Sequence, residues 1–513
     1  MYLILLETSG NQNFIFNSNR MKENVGASEI IYRSCIDWLE EEIEKLDSKH
    51  KDKIEIKLNT SGKAYLTAKD KDSAEAIIGA ITLRCLKEAP TLDIAGAYVD
   101  LNEEHPYESV KEVHEKLAKN ICNIPNSNSR FQRLPIIQSC NSSGLPAKEM
   151  IDIVKGESRP LSSASIAKRA FSEKKKERFK GDDILKEVAG SIGDSIEHFN
   201  NNNKGEDSKN DWMAIVHADG NGLGQIFLNF KKASEKKEGN YWEKLKRFSD
   251  ALDDCTKQAF IEAIKVINTE TKSVPLILGG DDLTVICPGN YAIDFTKEFL
   301  LKFKELTKDN NAINYVKDLE NGVSACAGIA LIKPHYPFSA AYSIAEDLIK
   351  SAKKVKEKSF GTSALDFHVV YDSSPTDLDS IRDELEVDNC KLYGGPYIVD
   401  EDGLEGWGES HKLSRLIDIA GKLNEKDDDG KNKIPSTLTH ILREELFSGK
   451  ENADAKYELM KPRCKYLKEA FNDSLFINDG DSDISLLIDA NELSKLIQEK
   501  EKKENKEKSL EHA

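Results

Sequence analysis

Three carboxylates stand out because of what flanks them. Asp281 and Asp282 follow Gly279 and Gly280 in the stretch LILGGDDLTVIC, residues 276–287. The residues on either side are aliphatic or β-branched, which suits two short buried strands meeting in a hairpin. The glycines allow positive φ and leave no side chain in the way of a polyphosphate or a metal. Adjacent carboxylates at a hairpin tip repel each other, and hard divalent cations, which prefer oxygen ligands, relieve that repulsion. An ordinary solvated turn would use the same residue types.

The metal-binding reading gains weight from a second acidic strand end about sixty residues upstream. WMAIVHADGNGLG, residues 212–224, is an apolar strand running into Asp219, followed by Gly220, Asn221, Gly222 and Gly224. Carboxylates at two such strand ends can hold two divalent ions. Ions held this way activate a 3′-hydroxyl and stabilise departing pyrophosphate, the chemistry of nucleotidyl transfer.

The elements that must position these residues follow in order. Residues 213–218 form a strand and 241–268 a long helix, and the Gly279–Gly280 hairpin comes next. A helix over 293–306, a strand over 324–332, a helix over 340–356 and a closing strand over 365–370 complete the unit. The N-terminal stretch has the same plan. A strand at 2–6, a helix with apolar spacing over 27–46, a hairpin of 53–58 and 63–68, a helix over 73–87 and a strand over 91–99 give β-α-β-β-α-β, the ferredoxin-like unit. Thr60, Ser61 and Gly62 stand where the later unit has its carboxylates, so the first copy is not expected to bind catalytic metal. The fold class is α+β: two ferredoxin-like palms of the nucleotide-cyclase kind, a partly helical linker region and a C-terminal helical bundle. The expected divisions are 1–100, 101–210, 211–372 and 373–513.

Between the palms, 111–121 and 164–180 read as helices, 139–147 as a loop and 200–210 as a polar low-complexity linker. The basic run Lys174 to Arg178 reads as a solvated helix face. After residue 377 helices are expected over 380–385, 409–423, 438–446, 455–471 and 484–499, with 391–399 as a turn or ligand-facing loop and a fraying tail after Gln498.

The chain has 513 residues and a formal net charge of −17, with 32% of its residues charged. An acidic balance argues against a general nucleic-acid binder without excluding local basic grooves. Nine scattered cysteines with no C-x-x-C pair suit a reducing cytoplasm and neither a disulfide framework nor a zinc ribbon. No apolar run reaches membrane-spanning length, and the first residues lack the features of a signal peptide.

These segments together resemble the large polymerase-like subunit of type III CRISPR effector complexes, the CRISPR polymerases. The resemblance rests on Ala218-Asp219 through Leu223-Gly224, the GGDD hairpin, GIALIKPHYPF at 328–338 and AEDLIKSAK at 345–353. NVGAS at 24–28 and TSGKA at 60–64 carry it into the first palm. It implies synthesis of cyclic or linear oligoadenylates from ATP for antiviral defence. By the same resemblance Asp219 and Asp281 are the principal ligands of two Mg²⁺ (or Mn²⁺) ions, with Asp282 assisting and Gly220 offering its carbonyl. Lys353 steadies the triphosphate, with Lys350 one turn before it. Asn221, Gly222, Gly279 and Gly280 border that nucleotide, and Asn24, Ser28, Thr60, Ser61 and Gly62 bind a second ATP across the cleft. Guide RNA and small CRISPR effector subunits, or further copies of this chain, are the implied partners.

The chain departs from the family pattern in three places. It starts at the first palm and has no His-Asp dipeptide, so the family's nuclease activity is not expected. Cys122 and Cys140, with His105 and His114, have no recognisable zinc-ligand spacing. Asn221 stands where relatives often have Asp. Two other readings stay open: a diguanylate or purine-nucleotide cyclase, although Leu283 follows Asp282 where those enzymes usually have Glu-Phe, and a non-catalytic nucleotide-binding scaffold of an RNA-guided complex.

Overall fold

The computed structural model describes residues 1–125, 127–154, 157–193, 212–233, 240–267, 273–334, 336–358, 361–371, 377–401 and 404–511. The expected linker at 200–210 and His335 of the GIALIKPHYPF segment lie outside them.

The first palm is a four-stranded antiparallel sheet of β1 (Tyr2–Ser9), β2 (Ile54–Thr60), β3 (Lys63–Ala68) and β4 (Asp93–Asp100), in the order β2-β3-β1-β4. β1 is apolar at consecutive positions because both sheet faces are covered. Ile4 and Leu6 enter the core with the helices Met21–Cys35 and Lys71–Glu88, whereas Leu3 and Leu5 enter the one with Pro106–Asn123. The helix expected over 27–46 is two helices, Met21–Cys35 and Asp37–Lys45, broken at Ile36 where ψ is −87°. Residues 11–16, read as part turn and part apolar segment, form a short helix, Asn11–Phe16.

The second palm repeats the order and extends it. β7 (Met213–Gly220), β8 (Val274–Gly279), β9 (Asp282–Pro288), β10 (Ala325–Ile332) and β11 (Ala364–Val369) join β14 (Tyr397–Ile398) in the order β14-β11-β10-β7-β9-β8. β7 lies antiparallel to both β9 and β10, and β11 adds in parallel to β10. β7 divides between two cores as β1 does, Met213 and Ile215 on one side, Ala214, Val216 and Ala218 on the other. Each core draws on both palms. At the seam Phe16 of the first stacks on Tyr342 of the second with ring centroids 4.0 Å apart.

Two short strands in the linker region, β5 (Glu149–Val154) and β6 (Glu157–Leu161), form a hairpin that the periodicity did not reveal. The helix Ser163–Gly181 follows, and the expectation of a solvated basic face over Lys174 to Arg178 is corrected at Lys175, whereas Lys174 and Glu177 are exposed. Lys168 and Lys175 are each only 3% exposed, because this helix lies against Met21–Cys35 and turns those side chains inward. The C-terminal part is mostly helical but also holds a small sheet of β12 (Glu386–Val387), β13 (Cys390–Lys391), β15 (Phe476–Asn478) and β16 (Asp483–Ser485). The helix expected over 455–471 is interrupted near Pro462, which cannot continue the backbone ladder. The last helix begins at Leu487 and runs to Glu511, well past the expected fraying point. Within the 391–399 segment, residues 392–396 form no helix or strand, and Tyr397–Ile398 supplies β14 to the edge of the second palm.

Candidate active site

β7 and the β8–β9 hairpin are neighbours in the sheet, so their ends deliver Asp219, Asp281 and Asp282 to one place. One oxygen from each of the three lies within 4.8 Å of the others. Gly279 pairs with Asp282, leaving Gly280 and Asp281 as the two-residue turn. Gly280 has φ +63°, the positive value that a type II′ hairpin needs at its first central position. The long helix Tyr241–Lys265 holds this turn. Gly280 N–H donates to Asp253 Oδ1 at 3.0 Å, and Thr256 Oγ1 donates to the Gly280 carbonyl. Gly220 is tight for another reason: a Cβ there would lie 2.9 Å from the Cβ of Asp281.

The electrostatics fit a cation site. Burial raises the Asp281 carboxyl above its ordinary range, although backbone amides including that of Gly220 pull the other way. Burial and then the adjacent Asp281 push Asp282 up to about 7. Two adjacent hairpin carboxylates that resist ionisation together, with the Asp219 oxygens beside them, are what a divalent ion would neutralise. Lys353, at the end of the helix Phe338–Lys353, donates to Asp219 Oδ2.

Three cavities meet at these carboxylates. One of about 730 Å³ lies between the palms and is lined by Asn11, Ser28, Ser61, Asp282 and Lys350 among others. A second, of about 550 Å³, shares Asp219 and Lys353 with it and adds Gly220, Gly222 and Asp281. A third, of about 1190 Å³, shares Ser61, Gly279 and Asp282 with the first and runs past Thr60 and Gly280 towards Tyr107 and Tyr241.

Three expected contacts are placed elsewhere: Asn24, Gly62 and Asn221 line none of these cavities. Asn24 is fully buried in its helix with both side-chain amide atoms unpartnered. Asn221 turns towards β10, its Nδ2 donating to Ser324 Oγ at 3.1 Å. Conversely, sequence reasoning passed over His217, Tyr342, Asp253 and Asn11. His217 bonds to Leu283 O, Thr284 Oγ1 and Tyr342 Oη, and its pKa falls to about 4, chiefly through burial. Strand alternation was the available signal, since His217 shares a face with Asp219.

Two ferredoxin-like sheets meeting at a carboxylate-lined cleft define a double-palm fold. Residues 212–360 match the family model of the Cas10/Cmr2 second palm domain. No curated protein matches the sequence. Among solved structures it is similar to Csm1 in T. onnurineus at 13% identity and TM-score 0.55, covering 97% of this chain and 69% of that one. It is similar at 14% identity, with the same coverage, to the Csm1-Csm4 cassette in complex with pppApApA (TM-score 0.56) and in complex with cA4 (TM-score 0.53). These likenesses show a common fold across both palms. No helix among the described residues is long and apolar enough to cross a membrane.

Proposed function

We propose that the chain is a metal-dependent nucleotidyltransferase that joins ATP into cyclic or linear oligoadenylates with release of pyrophosphate, as the polymerase-like subunit of a CRISPR effector. One observation carries this reading: Asp219, Asp281 and Asp282 converge at the junction of the inter-palm cavities, and Lys353 stands beside them. The likeness to Csm1 structures holding cA4 and pppApApA supports the product class.

The donor set fits divalent ions: Asp219, Asp281 and Asp282, with the Gly220 carbonyl, would hold two Mg²⁺ or Mn²⁺. When bound, such ions lower the pKa of a 3′-hydroxyl and neutralise charge on the attacked α-phosphate. The chain's own residues do the rest. The Gly280 peptide, pinned by Asp253 and Thr256, fixes both hairpin carboxylates. Lys353 and Lys350 line the cavity where a triphosphate has to lie. Ser28, Ser61 and the segment around Asn11 present the first palm to a second nucleotide. A Csm4-like subunit and guide RNA are the partners this reading implies.

Purified protein incubated with labelled ATP or, separately, labelled GTP and with Mg²⁺ or Mn²⁺, with and without guide and target RNA, tests it. Oligoadenylate and pyrophosphate from the parent but not from an Asp281→Ala, Asp282→Ala variant are expected. Absence of product in every arm would overturn the reading, and product from GTP alone would turn it to a guanylate cyclase.

A further inference from the structure

The helix Ser163–Gly181 lies outside both palm sheets yet reaches the cavity between them. Its Lys175 is 3% exposed, and its ammonium donates to Ser28 Oγ at 3.0 Å and to the Leu276 carbonyl at 2.9 Å. The first acceptor is on the first palm, the second on β8 of the second. Both are neutral, and among the described residues Lys175 makes no ion pair. Arg178, one turn on, lines the same 730 Å³ cavity, with its guanidinium bonded to Glu29 at 3.0 Å and lying over the Tyr32 ring.

An ammonium has three donors, and two are used here. A glutamine amide would serve two neutral acceptors equally well with no charge to desolvate. A buried lysine is therefore an inefficient tie, and its charge has a use only when an anion enters the cavity it lines. Burial, followed by the nearby Arg178, pushes its pKa down to about 7 against the pull of Glu29, and the Phe179 ring lies 5.6 Å from the ammonium. Asp219, Asp282, Lys350 and Lys353 belong to the same cavity.

We propose that Lys175 contacts the phosphate chain of a nucleoside triphosphate bound between the palms, so that the linker helix completes a site neither palm closes alone. This rests on the reading of the cavity as a nucleotide site. The test titrates the full chain, with Mg²⁺, with α,β-methylene-ATP, whose carbon bridge blocks pyrophosphate release, and separately with adenosine. Lys175→Gln, or Lys175→Met should the first not fold, is expected to lose about 10- to 100-fold in affinity for the triphosphate and to keep parental affinity for adenosine. Lys175→Arg should restore most of the triphosphate affinity. Unchanged triphosphate binding overturns the inference. So does an equal loss on both ligands, which would make Lys175 a structural tie only. A parent that binds the triphosphate but releases no pyrophosphate from ATP would sink the synthase reading and leave this one to be decided by the variants. A parent that binds neither ligand would overturn both.

Discussion

Lys353 donates to Asp219 Oδ2 across 134 positions of sequence, so the cation expected to hold a triphosphate rests on a carboxylate expected to hold a metal. An ion on that oxygen would compete with the ammonium for it. Burial, and then Lys356, already lower the Lys353 pKa, which eases its release. Lys353→Ala should therefore raise the KM for ATP and cut kcat/KM by roughly 10- to 100-fold. The Mg²⁺ concentration for half-maximal rate should fall at the same time. Steady-state pyrophosphate release over a Mg²⁺ series measures both, and a parental KM would show that Lys353 serves only Asp219.

The hairpin carboxylates make a prediction about stability. With its pKa raised to about 7, Asp282 keeps its proton in the folded, metal-free protein over a range where the unfolded chain has lost it. Stability then falls as pH rises from about 4 to about 7 and levels off above. Asp282→Asn lacks the share of this dependence that Asp282 contributes, although buried Asp281 keeps its own, so its advantage in melting over the parent should grow across that window. About 1–2 kcal/mol is expected at pH 8, discounted for partial exposure. Saturating Mg²⁺ should stabilise the parent, and the variant, which keeps Asp219 and Asp281, by a smaller margin. Melts at pH 5 and pH 8, each with and without Mg²⁺, give all four values.

How far the sequence reveals this site depends on whether each contact is local. Asp219, Asp281 and Asp282 were legible because each sits where an apolar strand gives way to glycine, a signal contained in a dozen residues. The repeated β-α-β-β-α-β order was legible for the same reason. Lys175 was not. A run of lysines reads as solvated until a partner helix is known, and that partner, Met21–Cys35, lies some 150 residues earlier. Asn24, implied only by the resemblance, packs fully inside its helix and lines none of the three cavities. The strands of two or three residues in β12 to β16 carry too little alternation to be seen at all.

Gly220→Ala tests whether the carboxylates must touch the β7 backbone. A methyl group there would lie 2.6 Å from Leu223 Cδ1 and 2.9 Å from Asp281 Cβ. Leu223 can rotate away, but Asp281 is fixed by a two-residue turn bonded to Asp253. The hairpin must then shift by several tenths of an ångström, enough to spoil a site that relies on placement. Activity should fall at least about 100-fold, whereas the cost in stability stays near 1–3 kcal/mol. Equal losses in both would mean the palm had unfolded, and circular dichroism beside the activity assay separates the cases.

Gly26→Ala sets two effects of opposite sign against each other on the seam that carries Lys175. Within the helix Met21–Cys35 alanine gains about 1 kcal/mol of helix propensity over glycine. Against that, its Cβ would lie 1.6 Å from the Lys168 carbonyl oxygen and 2.6 Å from the carbonyl carbon. Both are backbone atoms of the facing helix and cannot rotate aside, so the helices must separate by more than an ångström. Overpacking of this kind costs about 1–3 kcal/mol or more, so the steric term wins. The variant should melt several degrees below the parent. Because the displaced helix carries Lys175 and Arg178 with it, affinity for a triphosphate should fall too, while the carboxylate cluster, held by β7 and the hairpin, keeps its Mg²⁺ affinity. Melting at or above the parental temperature would show that the two helices do not meet at Gly26.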